Sequence, residues 1–268
     1  MSGVGLECYI FNVTVLRLSL PGEVHVGKSA DDLYDDLALA LMEVAIAAVK
    51  DRQVFHLALS GGATPEPFYM RLVIDPRFRV IPWPQTHIWI VDERCVPDDD
   101  DCANIKMIRE ALIEHLPMLS RCVHPIPVMS DDPAGEYETE LRSIFQQHAP
   151  RQNIPQLDFV LLGMGDDGHT ASLFPQSPAL NETQKLIAIN QGPTVTPPNR
   201  VTMALPLLNA AHHLAVLVTG SKKTAALHRV AEQWQNHGPD AQQFPVTGID
   251  PSDGELTWYL DPATASCP

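Results

Sequence analysis

No run of about eighteen consecutive apolar residues occurs in the 268-residue chain, so nothing in it reads as a membrane-spanning helix. The opening stretch MSGVGLECYIFNVTV has neither a basic leader nor a compact apolar segment, and no secretory signal is expected there. Positive charge is scarce: 18 Lys and Arg face 33 Asp and Glu, for a formal net charge of −15. Nucleic acid and anionic membranes attract proteins through a basic footprint, so neither is expected as a partner. The same field repels small anions, and a phosphate site must therefore be assembled from a few identifiable Arg or Lys side chains. Ordered cysteine spacing is also missing. Cys8, Cys95, Cys102, Cys122 and Cys267 are odd in number and scattered, which argues against a disulfide framework or a zinc site and for a reducing, cytoplasmic setting. The sequons at Asn12 and Asn181 would matter only in a secreted chain. There is no HExxH or HxxEH pair and no GxSxG elbow, and SGGATP (60–65) neither ends in the GK[ST] of a P-loop nor reads GxGxxG. No metal and no cofactor are expected.

What is present is a sound core composition, 45% hydrophobic and 19% charged, read as one domain over residues 1–268 with a small subdomain around 176–200. Strands are expected at Val13–Leu18, Phe55–Leu59, Thr86–Val91, Val123–Ile126, Phe159–Leu162, His213–Val218 and Leu256–Leu260, with further short apolar segments at Leu186–Asn190 and Val201–Leu205. Helical spacing of Leu33, Leu37, Leu41 and Val44 follows a capping box of Ser29 and Asp32 and runs through Lys50. Further helices are expected from Pro65 or Glu66, over Asn104–His115 and Pro133–His148, and near Ser221–Trp234. The proline-rich GPTVTPPN (192–199) reads as a long surface loop. Strands alternating with crossover helices imply a mostly parallel α/β sheet covered on both faces, with ligands bound at the carboxyl ends of the strands.

The polar exceptions cluster at those strand ends. SGGATP (60–65) reads either as a tight strand-to-helix turn or as an anion cradle of backbone amides at Gly61 and Gly62. VDERCVP (91–97) sets Asp92, Glu93 and Arg94 directly after a strand, as a solvated edge or as part of a site, and the polar stretch DERCVPDDDD is expected to be a loop. The acidic run at 98–101 lacks the alternation of a metal loop and reads as a solvated face. LLGMGDDGHTASLFP (161–175) brings a glycine-rich turn to His169, whose imidazole suits general-base chemistry, with Asp167 near enough to orient it. Ser60 lacks the strained elbow of a nucleophilic serine, so activated water is the preferred attacking group. Arg200 follows the proline-rich loop, and GSKK (220–223) opens a helix whose amides and lysine suit a phosphate.

Together SGGATP, VDERCVP, LGMGDDGHTASLFP, RVTMALPLLNAA (200–211) and GSKK resemble, in kind and in order, the motifs of the 6-phosphogluconolactonase family over most of Phe55–Lys223. The resemblance implies a three-layer sandwich with a mostly parallel, Rossmann-like central sheet, related to the sugar-phosphate isomerase and deaminase fold. It implies metal-free hydrolysis of 6-phospho-D-glucono-1,5-lactone to 6-phosphogluconate in the oxidative pentose phosphate pathway; a monomer or weak dimer is expected. By the same resemblance His169 is the acid/base residue and Asp167 its helper. Asp92, Arg94, Arg200 and Lys223, with Lys222 beside it, surround the substrate and its phosphate, and Gly61 and Gly62 offer backbone contacts. Glucosamine-6-phosphate deaminases share the SGG turn and a similar histidine loop but continue into an AFNEP-like sequence, whereas this chain continues ASLFP. Asp166, before the matched Asp167, stands where the family varies. A catalytically silent sugar-phosphate binding protein is the third reading.

Overall fold

In chain order the elements are strands β1 (Tyr9–Ile10), β2 (Val13–Thr14) and β3 (Glu23–Val26), helix α1 (Ala30–Arg52), β4 (Phe55–Leu59), α2 (Glu66–Ile74), β5 (Thr86–Ile90), β6 (Asp92–Arg94), α3 (Asn104–Ala111), β7 (Val123–His124), α4 (Pro133–His148), β8 (Phe159–Gly163), β9 (Ile187–Gln191), β10 (Asn199–Met203), α5 (Leu205–Leu208), β11 (His213–Val218), α6 (Thr224–His237) and β12 (Glu255–Leu260). They come from a computed structural model that describes residues 9–10, 13–14, 18–148 and 153–266. Seven strands form one sheet in the order β3-β12-β11-β8-β4-β5-β7, and every pairing in it is parallel. Helices cover both sides, which is why β4 reads as an unbroken apolar run and is buried at all five positions.

Helix α1 begins at Ser29, whose hydroxyl oxygen accepts the Asp32 N–H at 3.1 Å. The reciprocal half of the expected capping box differs: the Asp32 carboxylate accepts the Ser29 hydroxyl at 2.8 Å rather than its backbone N–H. The helix runs two residues past Lys50 and stops where Gln53 adopts a left-handed conformation, φ 63°.

Three expectations need correction. Within Val13–Leu18 only Val13–Thr14 is strand; it pairs with β1 outside the main sheet, residues 15–17 lie outside the described residues, and β3 takes the sheet edge instead. Its sequence, EVHV, carries too little apolar character to stand out. The helix expected over Asn104–His115 ends at Ala111 and continues as a 3-10 turn. Asp92–Arg94 is not loop: it pairs antiparallel with β10, which pairs with β9, making a second sheet of order β6-β10-β9. The proline-rich segment thus becomes the turn of the β9–β10 hairpin.

At the amino ends of the strands, opposite the polar loops, histidines gather. The rings of His56, His87 and His148 lie 5.1–5.5 Å apart, and His87 bonds His124 at 2.9 Å, which bonds Glu140 at 2.6 Å. The Trp89 indole donates to His56 Nδ1 at 3.2 Å, so that nitrogen must remain an acceptor. Burial, and then the neighbouring imidazoles, push His56 well down and His87 down to about 4, while burial also lowers His148 and His212. Between these values and the ordinary imidazole value of about 6.5, the unfolded chain binds more protons than the folded one. Stability from this group is full above about 6.5 and is lost as pH falls towards 4. Denaturant midpoints measured from pH 7 to 4.5 are expected to fall steadily, and His87→Gln to flatten the slope; an unchanged slope in the variant would contradict the assignment.

Candidate active site

Strands β4 and β8 are neighbours, yet the chain leaves β4 towards β5 on one side and leaves β8 towards β11 on the other. Such a reversal parts the loops at the carboxyl ends of the strands and opens a crevice between them. A cavity of about 230 Å³ lies there, lined by Ser60–Pro65 after β4, by Asp92 and Arg94 of β6, by Asn104, by Gly163–Gly165 and His169 after β8, and by Lys223 before α6.

The β8 loop folds back on itself: the Gly165 N–H donates to the His169 carbonyl at 2.8 Å and the Gly168 N–H to the Gly165 carbonyl at 3.0 Å. That turn presents the imidazole directly over Gly165, where a Cβ would overlap its Nδ1 and Cε1 atoms. Asp167 Oδ1 lies 2.6 Å from His169 Nδ1 and also accepts the His169 N–H at 3.1 Å. Burial alone would raise the Asp167 carboxyl, but the His169 bonds outweigh it and hold it down at about 2. An ionised carboxylate only accepts, so Nδ1 carries a proton, which leaves Nε2 as the nitrogen able to exchange one with the cleft. The ring of Phe174, 5.0 Å away, backs the imidazole.

What steadies this loop comes from the second sheet. Ser172 donates its hydroxyl to Asp92 of β6 at 2.7 Å and its N–H to Thr202 of β10 at 3.2 Å, while Asn190 of β9 donates to the Ser172 carbonyl at 2.8 Å. All three strands therefore hold the segment that follows His169. Asp92 lines the cavity with one carboxylate oxygen already engaged by Ser172.

The cations are arranged unevenly. Arg94 and Arg200 are directly opposite in the β6–β10 pairing, which turns both side chains to one face. Arg94 donates to the Cys102 carbonyl at 2.6 Å; Arg200, only 4% exposed, donates to the carbonyls of Pro197 and Asn199. Neither forms an ion pair among the described residues, so two like charges share a partly buried place where carbonyls accept their hydrogen bonds and Asp92 and Glu93 act on Arg200 only through space. Burial, then the charge of Arg94, weakens the hold of Arg200 on its proton. Arg94 lines the cavity and Arg200 stands behind it, outside the lining. Lys223 lines the cavity and is paired with Asp166, Nζ to Oδ1 2.6 Å. The amide of Gly220, at the GSKK turn, is taken by the Asp261 carboxylate at 3.1 Å. The amides of Gly61 and Gly62 have no partner among the described residues, and Gly62 sits at φ +96° with open space beside it.

Sequence reasoning missed the groups that set this frame. Glu93 is buried, 1% exposed, and its carboxylate accepts the N–H groups of Arg94, Asn104 and Ile105 at 2.7–2.8 Å, capping α3. Burial pushes its carboxyl up to about 7 against the pull of those three bonds. Tyr69 donates to the Ser60 carbonyl at 2.6 Å and fixes the turn before the two glycines. Neither had a local signal: Glu93 caps a helix whose first residue lies 11 positions further on, and Tyr69 reaches back across 9. Ser60 Oγ is buried without a hydrogen-bond partner, so no base stands ready to make it a nucleophile. Among the described residues no group of three or more His, Cys, Asp or Glu is arranged to hold a metal ion, and no helix is long and apolar enough to cross a membrane.

Residues 28–258 match the family described as glucosamine-6-phosphate isomerases/6-phosphogluconolactonase. The GDH/6PGL endoplasmic bifunctional protein of Oryctolagus cuniculus is 36% identical over 242 residues, 86% of this chain but 28% of that protein. The chain thus spans less than a third of that much longer relative. A probable 6-phosphogluconolactonase 1 of Oryza sativa subsp. japonica is 33% identical, with 91% of this chain and 84% of that one covered. Among solved structures, the 6-phosphogluconolactonase of Trypanosoma cruzi superposes with a TM-score of 0.75 at 26% identity, covering 92% of this chain and 97% of that one.

Proposed function

The chain belongs to the glucosamine-6-phosphate isomerase/6-phosphogluconolactonase family, and from that premise we propose that it hydrolyses 6-phospho-D-glucono-1,5-lactone to 6-phospho-D-gluconate by water that His169 activates. The observation that carries the reading is the pairing, in one small cleft, of an imidazole oriented by Asp167 with the cations Arg94 and Lys223.

Water attacks C1 of the lactone while Nε2 of His169 takes its proton. The carbonyl oxygen becomes an oxyanion, and the unpartnered amides of Gly61 and Gly62, or Arg94, are the donors at hand. Collapse breaks the bond from C1 to the ring oxygen, and the imidazolium returns its proton to that oxygen. Asp167 stabilises the imidazolium in between. Arg94 and Lys223, with Arg200 behind Arg94, offset the phosphate dianion within a chain of net charge −15. Asp92 stays an acceptor at the cleft wall and keeps the His169 loop in register through Ser172.

The sequence following His169, ASLFP, favours the lactonase over the deaminase branch of the family. One experiment separates the readings: freshly generated phosphogluconolactone and glucosamine 6-phosphate are supplied in parallel, and acid and ammonia release are followed. Acid release above the spontaneous rate without ammonia is expected. Ammonia from the amino sugar would replace the proposal with a deaminase, and neither product would leave a binding protein. The setting proposed is the cytoplasm, with the protein a monomer or weak dimer in a single domain; free Cys95, Cys102 and Cys122 suit a reducing compartment.

A further inference from the structure

We propose that Asp166 is a built-in competitor for the anion that Lys223 binds, occupying the lysine while the cleft holds no ligand and returning to it as product leaves. The inference rests on the phosphate-lactone reading and adds to it the group that sets phosphate affinity. Two adjacent carboxylates in the β8 loop face different tasks: Asp167 serves His169, and Asp166 Oδ1 lies 2.6 Å from Lys223 Nζ. The Asp166 side chain is 77% exposed and free to swing, while the Arg229 guanidinium of α6 donates to the Asp166 carbonyl at 2.6 Å and fixes its backbone. An exchange therefore needs only side-chain rotation, and the loop that carries His169 does not move with it. A phosphate dianion outcompetes a single carboxylate for the ammonium. The product carries a new carboxylate besides its phosphate, so an internal anion reclaiming Lys223 eases its departure from an already acidic molecule.

Calorimetric titration of inorganic phosphate into the whole protein, without substrate, reads this exchange. Asp166→Asn is expected to tighten phosphate binding by a factor of about two to five, the range that an exposed ion pair commands. The inhibition constant of 6-phosphogluconate falls by a similar factor, while that of gluconate, which has a carboxylate but no phosphate, stays put. Unchanged phosphate affinity overturns the proposal, and so does an equal gain for gluconate, because a general loss of negative field would produce it. The titration requires no turnover. A chain that binds phosphate in this manner yet hydrolyses no lactone would contradict the proposed function and leave the Asp166 exchange standing.

Discussion

His169→Ala is expected to lower kcat/KM for the phosphorylated lactone by about 10²–10⁴-fold, the usual contribution of a positioned acid/base group. The loss should fall on turnover, because the imidazole sits at one side of the cleft and the cations that hold the phosphate come from other loops. Binding of 6-phosphogluconate should therefore change little. The assay must subtract spontaneous lactone opening, which sets a floor under every variant. Asp167→Asn separates the two jobs of the carboxylate. The amide oxygen still accepts from Nδ1 and preserves the ring's orientation, but the negative charge that stabilises the imidazolium is gone. Its loss of turnover should be smaller than that of His169→Ala. Because the Asp167 carboxyl is held at about 2, it stays ionised at every pH well above that value, and any fall in activity on mild acidification belongs to another group. Wild-type turnover by His169→Ala would remove the imidazole from the mechanism.

Gly165→Ala should disable the enzyme while leaving it folded. An added methyl would overlap Nδ1 and Cε1 of His169 and lie 2.8 Å from Cγ, so the ring must leave its position and with it the bond to Asp167. The backbone itself has no objection, since Gly165 is not among the residues with positive φ. The expected loss of kcat approaches that of His169→Ala, about 10²-fold or more, with a small shift in thermal midpoint. Gly62→Ala is the useful contrast. There the added atom meets nothing within 4 Å, but φ is +96°, so the expected cost is strain in the turn rather than displacement of a side chain. Retention of full activity by Gly165→Ala would mean that the His169 ring does not need its place over Gly165.

The inner strands of the parallel sheet could be read directly because they are apolar runs buried on both faces, whereas edge strand β3, EVHV, is not buried and leaves no such mark. Residues 92–94 could not be read that way. Asp-Glu-Arg looks like a loop, and only long-range partners make it a strand: Ser172 satisfies Asp92, the first N–H groups of α3 satisfy Glu93, and β10 supplies the ladder. None of these is near in sequence, so no local pattern announces them. The glycine-rich histidine loop was legible for the opposite reason, since its geometry is made within seven residues, from Gly163 to His169. Arg200 was found by its motif, yet its position behind Arg94 rather than in the cleft lining depends on the register of two distant strands. Asp166 stood out only as a departure from pattern, and its contact with Lys223 spans 57 residues of chain.

The central claim is that one sugar phosphate bridges the cleft, its reactive carbon beside His169 and its phosphate among Arg94, Arg200 and Lys223. A structure with 6-phosphogluconate bound tests this most directly. The account predicts the C1 carboxylate within hydrogen-bond reach of His169 Nε2 and the phosphate on Lys223 and Arg94, with Asp166 released from the lysine. A phosphate seated against His169, or product bound outside this cleft, would contradict it.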